Sequence, residues 1–117
     1  MAHDPHFDIA VLDSLLEGDR QMMCRFATRF IGAAHSAMAE IDGALAAGDL
    51  AQLRHLGHRT LSAALTVGAV GIAGLCRQLE RLPHDAPDGL GAARVLVADL
   101  HSALAATSAS MADAGLC

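Results

Sequence analysis

An all-α bundle is the fold this sequence predicts, and three observations predict it. Apolar residues make up 53% of the chain, much of it alanine and leucine, with no Trp, no Tyr and few β-branched residues. That balance favours helix over sheet. Apolar residues also recur at spacings of three and four along most of the chain. Between these segments stand short Gly, Asp and Pro punctuations, which end one helix and cap the next. At 117 residues the sequence is one domain, 1–117 with its core over 7–113, large enough to bury about two-thirds of its unfolded surface.

The first, short helix starts at Asp8, which caps Ile9-Ala10-Val11-Leu12, and stops near Gly18. Asp19 caps a second helix whose inward stripe reads Met23, Phe26, Phe30, Ala33, Ala37, Ile41 and Leu45, running to the mid-forties. Gly48-Asp49 is a stop followed by a start, with Gln52 where a capping box closes. The third helix then places Leu53, Gly57, Thr60, Ala64 and Val67 on one stripe, with Gly57, Ala63 and Ala64 small enough for close helix approach. Gly68 interrupts. A fourth helix runs from Val70 or Ile72 to Leu82 with Ile72, Leu75, Cys76 and Leu79 inward. Pro83 to Gly89 carries the strong loop formers, and a fifth helix from about Leu90 to Ala112 aligns Ala93, Val97, Leu100, Leu104 and Met111. Short connections favour antiparallel neighbours, so the expected architecture is an up-and-down four-helix bundle with a short additional N-terminal helix.

Composition excludes several functions. The formal charge is −5 and all eight cations are arginine, which argues against nucleic-acid binding. No apolar run approaches the roughly 20 residues that span a bilayer, so no membrane contact is expected. The opening Met-Ala-His-Asp-Pro-His has neither the basic start nor the apolar core of a signal peptide, and the expected compartment is the cytoplasm. Cys24, Cys76 and Cys117 form no CxxC, so no zinc or thioredoxin-type site is indicated. Cys24 and Cys76 read as small core residues and Cys117 as part of a mobile end.

His58 is the candidate for chemistry. Taken alone, a helical histidine is most often an ordinary surface residue. His58, however, lies off the inward stripe, and its outward neighbours are Leu61, Ser62 and Leu65. Surface apolar residues normally occur singly, so this face reads as a docking surface built around an imidazole, with His55 one turn before it. His55 and His58 could share a metal, but bundle metal sites draw ligands from several facing helices and only Cys76 and Glu80 stand near. No metal is expected. His35 and His101 read as surface or boundary residues, His3, His6 and His84 as tail or loop residues, and Met22-Met23 as core.

The stretch Gly57-His58-Arg59, the small pair Ala63-Ala64, the break Val67-Gly68-Ala69 ten residues after the histidine, and Leu75-Cys76-Arg77-Gln78-Leu79-Glu80 together resemble histidine-containing phosphotransfer domains, the phosphocarriers of bacterial multistep phosphorelays. The likeness extends more weakly to Phe7–Leu12 and Gly48-Asp49-Leu50. It implies a bundle in which His58 accepts a phosphoryl group from a receiver-domain aspartate and passes it to another receiver. It also implies response-regulator receiver domains as partners, with a hybrid sensor histidine kinase upstream. No cofactor is implied on this chain, because Mg²⁺ would sit on the receiver. The chain is expected to act as a monomer and as a phosphocarrier rather than a turnover enzyme. Arg59, Ser62 and Glu80 are the expected phosphate neighbours, and Leu61, Leu65 and His55 the expected docking residues. Glu80 has a second reading as a solvated helix-end carboxylate. Two departures stand out: family members carry a lysine where this chain has Leu61, and a glycine where it has Ser62. Leu61 favours the alternative function, an interaction module that docks through the His58 face with transfer impaired.

Overall fold

A computed structural model of the chain describes residues 4–83 and 89–117. It contains five helices: α1 (Ile9–Leu15), α2 (Arg20–Ala46), α3 (Leu50–Val67), α4 (Val70–Glu80) and α5 (Gly89–Asp113). No strand occurs among the described residues. His3, and residues 84–88 of the expected loop with His84, lie outside them. α2, α3, α4 and α5 each pack against the next, α5 returns to α2, and α1 rests on α3 and α2. Cross-links between helices give the direction: Arg20 near the start of α2 donates to Ala114 O beyond α5, while Asp42 near its end pairs with His101. The result is the up-and-down bundle with an accessory N-terminal helix.

Local chemistry accounts for the helix starts. The carboxylates of Asp8, Asp19 and Asp49 accept from the backbone N–H groups of Ala10, Met22 and Gln52 at 3.1, 3.2 and 3.0 Å, satisfying donors the first turn leaves unpaired. The capping box expected at Gln52 is half-formed, because the Asp49 N–H is taken by Ala44 O at 2.9 Å. Ahead of α1, Asp4 Oδ1 accepts from the His6 and Phe7 N–H groups. The His6 bond is the largest of the influences that hold the Asp4 carboxyl below its ordinary range. This turn sends Phe7 into the core. His6, read as a tail or loop residue, lies ahead of α1 and packs on the start of α4, its carbonyl accepting from Gly71.

The core is built from Leu12, Met23, Ile41, Leu53, Leu56, Leu79 and Leu100, each with essentially no exposed surface. Fully burying one such leucine contributes about 1.5–3 kcal/mol. The stripes expected on α3 and α5 are buried as read. On α4, Leu75 is only half-buried, and Ala73 takes its inward place. On α2 the buried set is Met23, Ala27, Phe30, Ala34, Ala37, Met38, Ile41 and Ala44, while Phe26 and Leu45 are half-buried and Ala33 is exposed. Phe26 and Ala33 line an open groove along α3 instead of a closed interface. α5 is long and apolar enough, by length and composition alone, to cross a membrane. One face of it, with Ala93, Val97, Leu100 and Leu104, packs in the bundle.

The expected core thiol at Cys24 and free end at Cys117 are corrected. Cys24 is bonded to Cys117 across a sequence separation of 93, with Cα atoms 5.5 Å apart. The antiparallel packing of α2 and α5 makes these positions neighbours, which no local periodicity reveals.

Gly68 closes α3 with φ +81°, a left-handed conformation that penalises any residue carrying a Cβ by about 1–2 kcal/mol. Its carbonyl accepts from the Asp8 N–H at 2.8 Å. A Cβ added there would stand 2.3 Å from Asp8 O. Gly68→Ala should therefore lower unfolding free energy by at least about 2 kcal/mol, read from urea melts. A loss within experimental error would mean the α3–α4 turn is not held by Asp8.

Candidate functional site

The site begins with a missing side chain. Gly57 is buried in α3, and a Cβ built on it would lie 3.1 Å from both Cys76 O and Leu79 Cβ of α4. Contact that close draws α4 against α3 one position before His58. The helix turns by about 100° per residue, so the position after Gly57 leaves the interface and points outward. His58 accordingly exposes 72% of its side chain, at the middle of α3. Glu80, one position beyond Leu79, reaches the same point from the other helix. Its carboxylate, only 27% exposed, pairs with His58 Nδ1. Of the two readings of Glu80, the one facing the histidine describes the geometry.

Arg54, one turn before His58, donates from Nε to the Glu80 backbone carbonyl at 3.1 Å. That bond ties the open end of α4, where carbonyls lack helical partners, to α3. The sequence pointed to Arg59 as the cation beside the histidine. In the structure the Arg59 guanidinium is engaged by Glu40 of α2, and Arg54 is the cation bonded to the backbone of Glu80. Glu40 was not among the expected site residues. Nothing local in the sequence marks it, because it meets Arg59 only when α2 and α3 fold side by side.

Ser62, one turn after His58, is exposed, and its carbonyl accepts from Thr66 Oγ1 at 2.9 Å. His55 is exposed one turn before. Leu65 is 44% exposed. Leu61 is corrected: it is half-buried and packs against the core, so this face is less apolar than the run His-Leu-Ser-Leu suggests. Beside it, α2 and α3 enclose an open groove of about 430 Å³, floored by Phe30, Ala34, Ala37 and Thr60 with Arg59 and Glu40 among its lining residues. No cluster of three or more potential metal ligands occurs among the described residues.

Cys76 sits one turn before Glu80 in the Gly57 contact, fully buried. Burial, with the Glu80 carboxylate adding to it, pushes its thiol up to about 12. A group raised in the folded state favours the fold while protonated, and that contribution is lost as pH rises past the unfolded thiol's ordinary value. After mild reduction, thiol reagents at pH 8 should modify Cys24 and Cys117 in the native protein, and Cys76 only with denaturant. Native-state modification of Cys76 at the rate of a free peptide thiol would contradict the buried α3–α4 contact.

A family model described as Hpt domain matches residues 25–110. The fold is similar to the crystal structure of histidine-containing phosphotransfer protein B (HptB) from Pseudomonas aeruginosa PAO1, with a TM-score of 0.78, 30% sequence identity and 90% of each chain covered. No curated protein matches the sequence.

Proposed function

Because the chain belongs to the Hpt domain family and therefore serves histidine phosphotransfer in a phosphorelay, we propose that His58 is the residue that carries the phosphoryl group, on Nε2. The observation that carries this assignment is the His58–Glu80 pair. A carboxylate offers only acceptors, so the neutral ring keeps its proton on Nδ1 toward Glu80. The lone pair is thereby left on Nε2 of a largely exposed side chain. Such a nitrogen attacks the phosphorus of a receiver's aspartyl phosphate in line, and the same atom later yields the group to another receiver's aspartate. Histidine suits the task because its ring is substantially neutral near physiological pH.

Phosphoryl transfer depends mainly on positioning and charge stabilisation. Positioning here comes from the rigid α3–α4 contact and from Glu80. Mg²⁺ and the acidic pocket belong to the receiver in this reading, so the chain brings no cofactor of its own. Receiver domains are the partner class of the family. In our reading, the partners include a hybrid sensor kinase upstream, the chain acts as a monomer, and the compartment is the cytoplasm. In a reducing compartment Cys24 and Cys117 would stand as a thiol pair held by the same packing. Docking is assigned to the face of His55, His58, Ser62 and Leu65 together with the adjoining α2–α3 groove, where Arg59 and Glu40 supply polar contacts. Ser62 keeps a hydroxyl beside the phosphoryl position.

His58→Gln should abolish acceptance of label from a phosphorylated receiver. Its stability should change by no more than about 1 kcal/mol, because the side chain is largely exposed and lies outside the core stripe. Undiminished labelling of the variant would move the site elsewhere, with His55 next in line. Binding without labelling in the unaltered protein would favour the interaction-module alternative.

Leu65→Ala should weaken receiver binding by about threefold to tenfold, the loss expected for the exposed part of one leucine, with single-turnover transfer in the bound complex unchanged. Equal affinity for the two proteins would take Leu65 out of the docking face.

A further inference from the structure

We propose that Cys24 and Cys117 form a reversible redox site, closed by exchange with a small disulfide of the glutathione class, whose oxidation latches the four residues after α5 onto α2. The inference is independent of the assignment of His58, because it concerns the seam between α2 and α5.

A stripe on α2 builds the site. Arg20, Cys24 and Thr28 stand four residues apart, so they share one face of the helix over about two turns. All three reach the same segment. Gly115, in the left-handed region at φ +71°, turns the chain back after α5. The Arg20 guanidinium donates to the carbonyls of Ala114 and Gly115 at 3.0 and 3.4 Å. Leu116 is buried and lines a cleft with Ala27, Ile31 and Met111. Cys117 is bonded to Cys24, and the Thr28 hydroxyl donates to its sulfur at 3.5 Å. The thiol state has a partner too, because a Cys117 S–H faces the Cys24 carbonyl at 3.6 Å. Contacts other than the bridge thus hold the two sulfurs together, so the bridge can open and close in place.

Access singles out this pair. Cys117 is exposed and Cys24 half-buried, whereas Cys76 is fully buried and its thiol stays protonated. In the closing reaction the Cys117 thiolate attacks one sulfur of the small disulfide, forming a mixed disulfide and releasing one small thiolate. The Cys24 thiolate then attacks the Cys117 sulfur, the mixed bond breaks, and the second small thiolate leaves with its electron pair. The two protein thiols have given up two protons and two electrons, and the small disulfide has become two thiols. With Cys24 beside Cys117, the second step is intramolecular and outruns its bimolecular competitors. The bridge spans a sequence separation of 93, a loop long enough to restrict the unfolded chain strongly.

The test uses the full chain equilibrated in glutathione buffers from fully reduced to fully oxidised, quenched with acid, alkylated and read by mass spectrometry. The unaltered protein should pass between dithiol and bridged forms, with the glutathione adduct below about a tenth of the population. Cys24→Ser should instead collect the adduct on Cys117. Oxidation should raise the Tm of the unaltered protein by about 10 °C and leave that of Cys24→Ser unchanged. It should also slow hydrogen exchange at the Gly115 and Leu116 amides, which donate to Ala112 and Met111, by about tenfold or more. An adduct that accumulates on Cys117 while Cys24 is intact would overturn the proposal, and so would equal amide exchange in the two forms. A bridge that excess reduced glutathione leaves closed would overturn it as well, by showing a permanent staple.

Discussion

The site depends on the contact between α3 and α4 at Gly57. With no side chain there, the backbone of α4 at Cys76 and the side chain of Leu79 lie against α3. The next residue along each helix, His58 and Glu80, therefore meets its counterpart at the rim of the same contact. Any bulkier residue at position 57 would part the helices where the imidazole meets the carboxylate. The hairpin is closed at its far end by Gly68, whose left-handed turn is pinned by Asp8 of the N-terminal cap. The short α1 thus serves the site indirectly, by bracing the turn that aligns the two helices.

Rigid support beneath an exposed ring suits a carrier that must meet more than one partner. The imidazole stands out from the bundle, yet its orientation is set from below by Glu80, which is tied through its backbone to Arg54. Helices position such a group more closely than loops do, because their side-chain directions follow from the backbone. The family's lysine is missing here, and Leu61 in its place folds back toward the core. The cations that remain near the ring are Arg54 from the preceding turn, which donates to the Glu80 backbone, and Arg59, which pairs with Glu40.

The fold and the position of His58 were legible in the sequence because both are written in local pattern. Asp8, Asp19 and Asp49 mark the caps that form, and Gly68 marks the turn that forms. The stripe on α3 put His58 outside the core before any neighbour was known. Features that depend on which helices become neighbours were not legible. The Glu40 partner of Arg59 comes from α2 and is brought up only by the pairing of α2 with α3. Cys24 fits an apolar helical pattern, yet the antiparallel approach of α5 brings Cys117 to it. The α2 stripe was misplaced at Phe26, Ala33 and Leu45, since α2 packs on three helices and leaves one side open as a groove. Leu61 was assigned to the surface by counting turns, whereas at a bundle's boundary a long apolar side chain bends back onto the core.

The most direct test of the account is to identify the phosphorylated atom. The ¹⁵N-histidine protein would be incubated with a phosphorylated receiver domain, and the modified ring read by ³¹P and long-range ¹H–¹⁵N NMR. The account predicts a single phosphohistidine, at His58, bonded through Nε2 with Nδ1 still protonated beside Glu80. Phosphate on Nδ1 of His58, or on any other histidine, would contradict it.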